Sequence, residues 1–159
     1  MIKLYKREGD AVVAYHEAWS DGDALVEHWG ALGTRGETRN HPLEPGSKIE
    51  EELARILEPA RGAGFAEIDL DDHIMLSIEY GIEEMGSTQD LDKRAALQDR
   101  MDETLGWTGL GSCDGGSIGS GTMEVACYVV EAELAKRVIA EDLAGTEFAD
   151  YTRIYDEGG

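Results

Sequence analysis

The side chains best equipped for chemistry crowd into one short stretch, Ser112-Cys113-Asp114-Gly115-Gly116-Ser117-Ile118-Gly119-Ser120-Gly121. Six of the thirteen residues from Gly109 to Gly121 are glycine. Cysteine attacks as a thiolate, so a catalytic Cys113 needs a base or a positive neighbour to lower its pKa. All four histidines, His16, His28, His41 and His73, fall in the first half of the chain, and no Lys or Arg lies between Arg100 and Lys136. Cys113 therefore reads as a small buried residue before it reads as a nucleophile. The glycine run offers backbone N–H groups to an anion. A phosphate loop, however, ends in Gly-Lys-Ser/Thr ahead of a helix. Here Thr122-Met123-Glu124 opens a strand, and Asp114 opposes an anion. Two readings stay open. One is a flexible hairpin tip with a bulge. The other is a surface for a partner's backbone, built on Asp114, Ser117, Gly119 and Glu124. A hairpin centred on Ile118-Gly119 sets Cys113 opposite Glu124, so a disulfide to Cys127 requires a bulge that shifts the register.

Three further groupings have chemical content. His16 and His28 flank the Asp21-Gly22 turn signal. A three-residue loop sets them opposite each other, as a weak metal or pH-sensing pair, and a two-residue loop pairs His16 with Glu27 instead. Asp69, Asp71, Asp72 and His73 bring oxygen ligands together, but without the glycine and glutamate spacing of an EF-hand loop. Trp29, Arg35 and Arg39 join an aromatic ring to cations. Trp29 reads equally as core or as a stacking surface, whereas Trp19 and Trp107 read as core. No zinc-protease helix, nucleophile elbow, kinase set or Cys-x-x-Cys occurs, and no cofactor or metal is implied.

The overall charge narrows the partners. Among 159 residues, 34 Asp and Glu face 14 Lys and Arg, a formal net of −20. Such a field repels phosphate backbones and anionic membranes and favours a basic protein partner. It also keeps a soluble protein apart from its neighbours. The hydrophobic content of 42% suffices for a core. No apolar run follows Met1-Ile2-Lys3-Leu4-Tyr5-Lys6-Arg7, none approaches the roughly 20 residues of a membrane span, and only two cysteines occur. These features indicate a reducing cytoplasm and no membrane partner.

The elements that must position these residues can be read in order. Apolar residues over 2–7 and 12–19, split by Glu8-Gly9-Asp10, form two strands. Asp21-Gly22 makes a hairpin to a third strand over 24–32. Gly33-Thr34-Arg35-Gly36 and a polar segment to Pro42 follow, with room for a fourth strand. Ser47 and Glu50 read as a capping box for a helix with Ile49, Leu53, Ile56 and Leu57 on one face, ended or kinked by Pro59. Trp29-Gly30-Ala31-Leu32-Gly33-Thr34-Arg35-Gly36-Glu37-Thr38, this helix, and Gly64-Phe65 together resemble a WGR domain. The resemblance covers residues 1–66. It implies a small antiparallel sheet with a helix and a nucleic-acid-associated role carried by Trp29, Arg35 and Arg39. Ala31 stands where the family carries its arginine.

An acidic connector, residues 67–72, precedes a second module over 73–159. His73 to Ile82 alternates as a half-buried strand. Ser87 to Gly106 reads as a helix with Gly106 at its C′ position, and the glycine-rich strand pair comes next. Glu131 to Ala144 is a helix stopped by Gly145, and Phe148 to Tyr155 is a last strand. This α+β order, β-α-β-β-α-β, is the ferredoxin-like split arrangement. Residues 67–159 carry 22 acidic and six basic side chains, against 12 and eight in residues 1–66. The expected function is a non-catalytic interaction protein of antitoxin, immunity or inhibitor type, binding a basic partner through its second module. Nucleic-acid association through the first module is one alternative. A small-molecule-binding or enzymatic second module, with Cys113, Asp114 and Ser117 at its site, is the other.

Overall fold

The computed structural model describes residues 1–83 and 86–156. Among them the chain is mixed α+β, with two antiparallel four-stranded sheets and three α-helices. It divides into two compact units, Met1–Asp69 and Leu70–Gly159.

In the first unit, β1 (Ile2–Glu8), β2 (Ala11–Asp21), β3 (Ala24–Ala31) and β4 (Glu37–Pro42) pair as a meander in that order. Helix α1 (Ile49–Gly62) packs on one face. Its Leu53, Ile56, Leu57 and Ala60 meet Leu4, Ala18 and Leu25 of the sheet in a buried cluster. The strand alternation places these sheet residues on one face, while Tyr5, Tyr15 and His28 occupy the other. Two details of the helix differ from the sequence reading. Lys48 is the N-cap, and no side chain caps the helix. Ser47 and Glu50 thus form no capping box, because the helix starts one residue later than they require. Ile49, expected on the buried face, is 41% exposed. Pro59 lies inside the helix, which runs on to Gly62.

The second unit comprises β5 (Ile74–Gly81), α2 (Thr88–Trp107), β6 (Gly111–Gly119), β7 (Thr122–Val129), α3 (Ala132–Leu143) and β8 (Arg153–Asp156). The strand order is β6-β7-β5-β8, and every neighbouring pair is antiparallel. Met123, Val125, Cys127 and Val129 of β7 are fully buried, as are Leu76 and Ile78 of β5 and Leu97, Met101 and Leu105 of α2. Two boundaries move. Gly106 is still helical; the C-cap is Thr108, and Gly109, at φ 76°, takes the C′ position. The last strand starts at Arg153 rather than Phe148. Phe148 is buried ahead of it, and its carbonyl accepts a 2.8 Å hydrogen bond from the Tyr80 hydroxyl. At its other end α2 is capped by Ser87, whose hydroxyl accepts from the Asp90 N–H while Asp90 accepts from the Ser87 N–H. Ser87→Ala removes one half of this box and is expected to destabilise the unit by about 1 kcal/mol in urea unfolding.

Trp19 and Trp107, expected in a core, are each half-buried. No helix among the described residues is long and apolar enough to cross a membrane.

Candidate interaction surfaces

The hairpin of β6 and β7 turns at Ser120-Gly121, not at Ile118-Gly119. Ser120 has φ 54° and Gly121 φ 83°, the two positive values that a tight type I′ turn needs. From this tip Gly119 pairs with Thr122, Ile118 with Met123, Ser117 with Glu124 and Gly116 with Val125. A bulge follows: Asp114 and Gly115 together oppose Ala126, and beyond it Cys113 stands opposite Cys127. The sequence reading set Cys113 against Glu124. The extra residue of the bulge and the later turn account for the difference.

The glycines permit this approach. A Cβ on Gly116 would lie 2.1 Å from the Glu124 carbonyl oxygen, and one on Gly111 would lie 1.9 Å from that of Tyr128. Asp102 of α2 holds the bulge from outside, accepting a 3.0 Å hydrogen bond from the Cys113 N–H.

Pleating separates the candidate residues. Cys113 is buried on the face that packs under α2. Ser117 lies on the opposite face, and Asp114 is exposed at the bulge. Cys113, Asp114 and Ser117 therefore do not converge on one site. The Cys113 thiol is also pushed well above its ordinary pKa, first by its hydrogen bond with Cys127 and then by burial. That shift works against a thiolate nucleophile.

Ser117 and Glu124 instead belong to a row that spans the sheet. Ser117 opposes Glu124, Glu124 opposes Glu79 of β5, and Glu79 opposes Arg153 of β8. Two carboxylates directly opposite each other repel. The fold supplies each with a donor. The Arg153 guanidinium donates to Glu79 at 2.8 Å, and the Tyr155 hydroxyl donates to Glu124 at 2.6 Å. Arg153 also sits 3.8 Å from the centre of the Tyr155 ring. Sequence reasoning missed Glu79, Arg153 and Tyr155. Their alternation in strands was visible, but the pairing of β5 with both β7 and β8 is non-local.

In the first unit, β2 and β3 are joined at Gly22-Asp23, with Asp21 opposite Ala24. This register pairs His16 with Trp29 and Glu17 with His28. His16 and His28 thus lie on opposite faces. The loop has two residues, one of the lengths weighed from the sequence, but it sits one residue later than Asp21-Gly22 and so pairs His16 with Trp29 rather than Glu27. Trp29 is half-buried between two partners: the His16 ring stacks on it at 5.6 Å, and the Arg39 guanidinium lies 5.6 Å from its centre. Arg35 is exposed in the β3–β4 loop, and its carbonyl oxygen lies 2.6 Å from His28 Nε2. Gly36, at φ 63°, lets this loop fold back on Trp29, since a Cβ there would lie 2.1 Å from the Trp29 carbonyl oxygen.

Beside Trp29, the Glu27 carboxylate accepts from His16 Nε2 at 2.6 Å and from His41 Nε2 at 2.9 Å. Burial alone would raise the Glu27 pKa, but the two imidazole hydrogen bonds outweigh it and hold the carboxyl below its ordinary value. A depressed carboxylate pKa stabilises the folded state above the unfolded-state value and loses that contribution as pH falls through the folded value. The wild-type urea midpoint is therefore expected to fall as pH drops below about 4.5, and Glu27→Gln is expected to flatten this part of the profile. An identical profile in both proteins would contradict the role given to Glu27.

Among the described residues no three His, Cys, Asp or Glu side chains are placed to hold a metal ion, those of Asp69, Asp71, Asp72 and His73 included. Comparison with known proteins finds no matching family model, no matching curated protein and no matching solved structure.

Proposed function

We propose that this chain is a non-catalytic interaction protein whose acidic second unit engages a basic partner. One observation carries the reading: four of the unit's six cations are already paired with its own carboxylates. Lys93 pairs with Asp150, Arg100 with Asp142, Lys136 with Glu133, and Arg153 with Glu79. Six basic side chains against 22 acidic ones in residues 67–159 leave a large carboxylate surplus. A basic protein surface is the natural counter-charge, and long-range attraction would speed its encounter. The contact lies on the β6–β7 hairpin and the sheet face beside it, where exposed Asp114 and the Ser117-Glu124-Glu79 row stand together with Gly119. The antiparallel order β6-β7-β5-β8 supports a ferredoxin-like arrangement for this unit. That arrangement hosts many functions, so the reading rests on charge and surface. The test is capture of partners from a lysate of the cells that make the protein, with and without nuclease, at two salt concentrations. A basic protein that survives nuclease and elutes at high salt is the expected result. Recovery of nucleic acid alone, lost on nuclease treatment, would overturn it.

A second reading has its own observation. The Arg39 guanidinium over Trp29, with exposed Arg35 nearby, is a cation and aromatic pairing of the kind that stacks bases. The four-stranded meander with α1 supports the WGR resemblance, and with it nucleic-acid association through the first unit. The net charge of −20 and Ala31 rank this reading second. A steep loss of affinity for short DNA between low and moderate salt would favour it.

A further inference from the structure

Cys113 and Cys127 are the chain's two cysteines, and both are buried free thiols. The bulge is what brings them face to face. Continuing the tip's register unbroken would set Cys113 opposite Tyr128, with its thiol on the other side of the sheet. The pairing is also of the type that accepts a bridge. The Cys113 N–H leaves the ladder to bond Asp102, and the Val130 N–H bonds the Leu110 carbonyl three residues before Cys113. Counting from that bonded pair, Cys113 and Cys127 occupy a non-hydrogen-bonded position. Cα atoms there approach to about 4.5 Å, within the roughly 4.4–6.8 Å that a disulfide spans.

The geometry points to a reversible Cys113–Cys127 disulfide that staples the base of the β6–β7 hairpin, formed by exchange with a low-molecular-weight disulfide. One cysteine thiolate attacks the reagent's S–S bond, giving a mixed disulfide and releasing one reagent thiol. The second cysteine attacks the protein sulfur of that mixed disulfide, closes the bridge and expels the second reagent thiol. Two protons leave the cysteines, and two electrons reduce the reagent. Strand β6 is at the edge of its sheet, so its local opening exposes Cys113 while β7 stays paired with β5. In the closed form, mutual hydrogen bonding and burial keep the Cys113 thiol protonated. Exchange therefore waits on that opening and is slow at neutral pH. Asp114, Ser117, Gly119 and Glu124 all lie within the loop the bridge closes. Oxidation would thus fix the proposed partner surface, a consequence that rests on the partner reading, whereas the bridge itself does not.

The test incubates the native full-length chain with excess oxidised glutathione, then alkylates it in denaturant. Intact mass and a non-reducing digest are the readouts. The expected product is lighter by two hydrogen atoms, unalkylated, yields one peptide linking Cys113 to Cys127, and reverts with dithiothreitol. Persistent glutathione adducts, disulfide-linked dimers, or two alkylated cysteines after a time that fully oxidises the urea-unfolded chain would overturn the proposal. In Cys127→Ser the exchange should stop at a glutathione adduct on Cys113; absence of that adduct counts against the mechanism. The wild-type digest decides alone if the variant folds poorly. Partner capture plays no part in the readout, so this proposal and the partner reading fail separately.

Discussion

Gly116→Val is expected to destabilise the second unit by roughly 3 kcal/mol, among the larger effects of any single substitution. The backbone there has φ 146°, and an added Cβ would lie 2.1 Å from the Glu124 carbonyl oxygen and 3.0 Å from both the Glu124 carbonyl carbon and the Val125 Cα. These are backbone atoms, with no flexible side chain to give way. Relief requires parting β6 from β7, which breaks the register that seats Glu124 opposite Ser117 and Cys127 opposite Cys113. Gly115 provides the contrast. It has φ 90°, but an added Cβ meets nothing within 4 Å, so Gly115→Ala carries backbone strain alone, about 1 kcal/mol. Urea unfolding of both variants checks the pair. Equal and small losses would mean that the hairpin does not hold the close approach described.

Leu76→Ala is expected to cost about 2–5 kcal/mol. Leu76 is fully buried on β5, opposite Cys127 on one neighbouring strand and Asp156 on the other. Truncation leaves a cavity under the two central strands, which cannot collapse without disturbing their pairing. The thermal midpoint should fall by about 2–4 °C for each kcal/mol, and Leu76→Met, which keeps the volume, should recover most of the loss. A shift no larger than that of Leu76→Met would contradict the placement of this side chain at the centre of the core.

Much of the architecture was legible because it is local. The alternation of Leu76, Ile78 and Tyr80 gave β5, and the spacing of Leu97, Met101 and Leu105 gave α2, since period 2 and period 3.6 are written in adjacent residues. The polar segment before Pro42 proved to be β4, an exposed edge strand whose sequence, Glu-Thr-Arg-Asn-His-Pro, carries little apolar signal. Helix ends were misplaced by a few residues where two glycines competed. Gly106 and Gly109 both look like stop signals, and only the observed φ at Gly109 decides between them. Register was the least legible feature. A single bulge at Asp114-Gly115 changes the partner of Cys113, and a two-residue turn shifted by one position gives His16 Trp29 rather than Glu27 as its partner. The sheet row of Ser117, Glu124, Glu79 and Arg153 joins residues up to 74 positions apart through pairings that no local pattern specifies. Ser117 and Glu124 were both singled out from the hairpin, but the expected register set Glu124 against Cys113 and did not pair them.

The most direct test of the central claim is a titration of the captured basic partner against the wild-type chain and an Asp114→Lys, Glu124→Lys double variant, with thermal midpoints measured alongside. The expected result is a large loss of affinity in the variant, diminishing as salt rises, while its midpoint shows that the unit still folds. Equal affinity at low salt, from a folded variant, would remove the β6–β7 hairpin and its sheet face as the surface that binds.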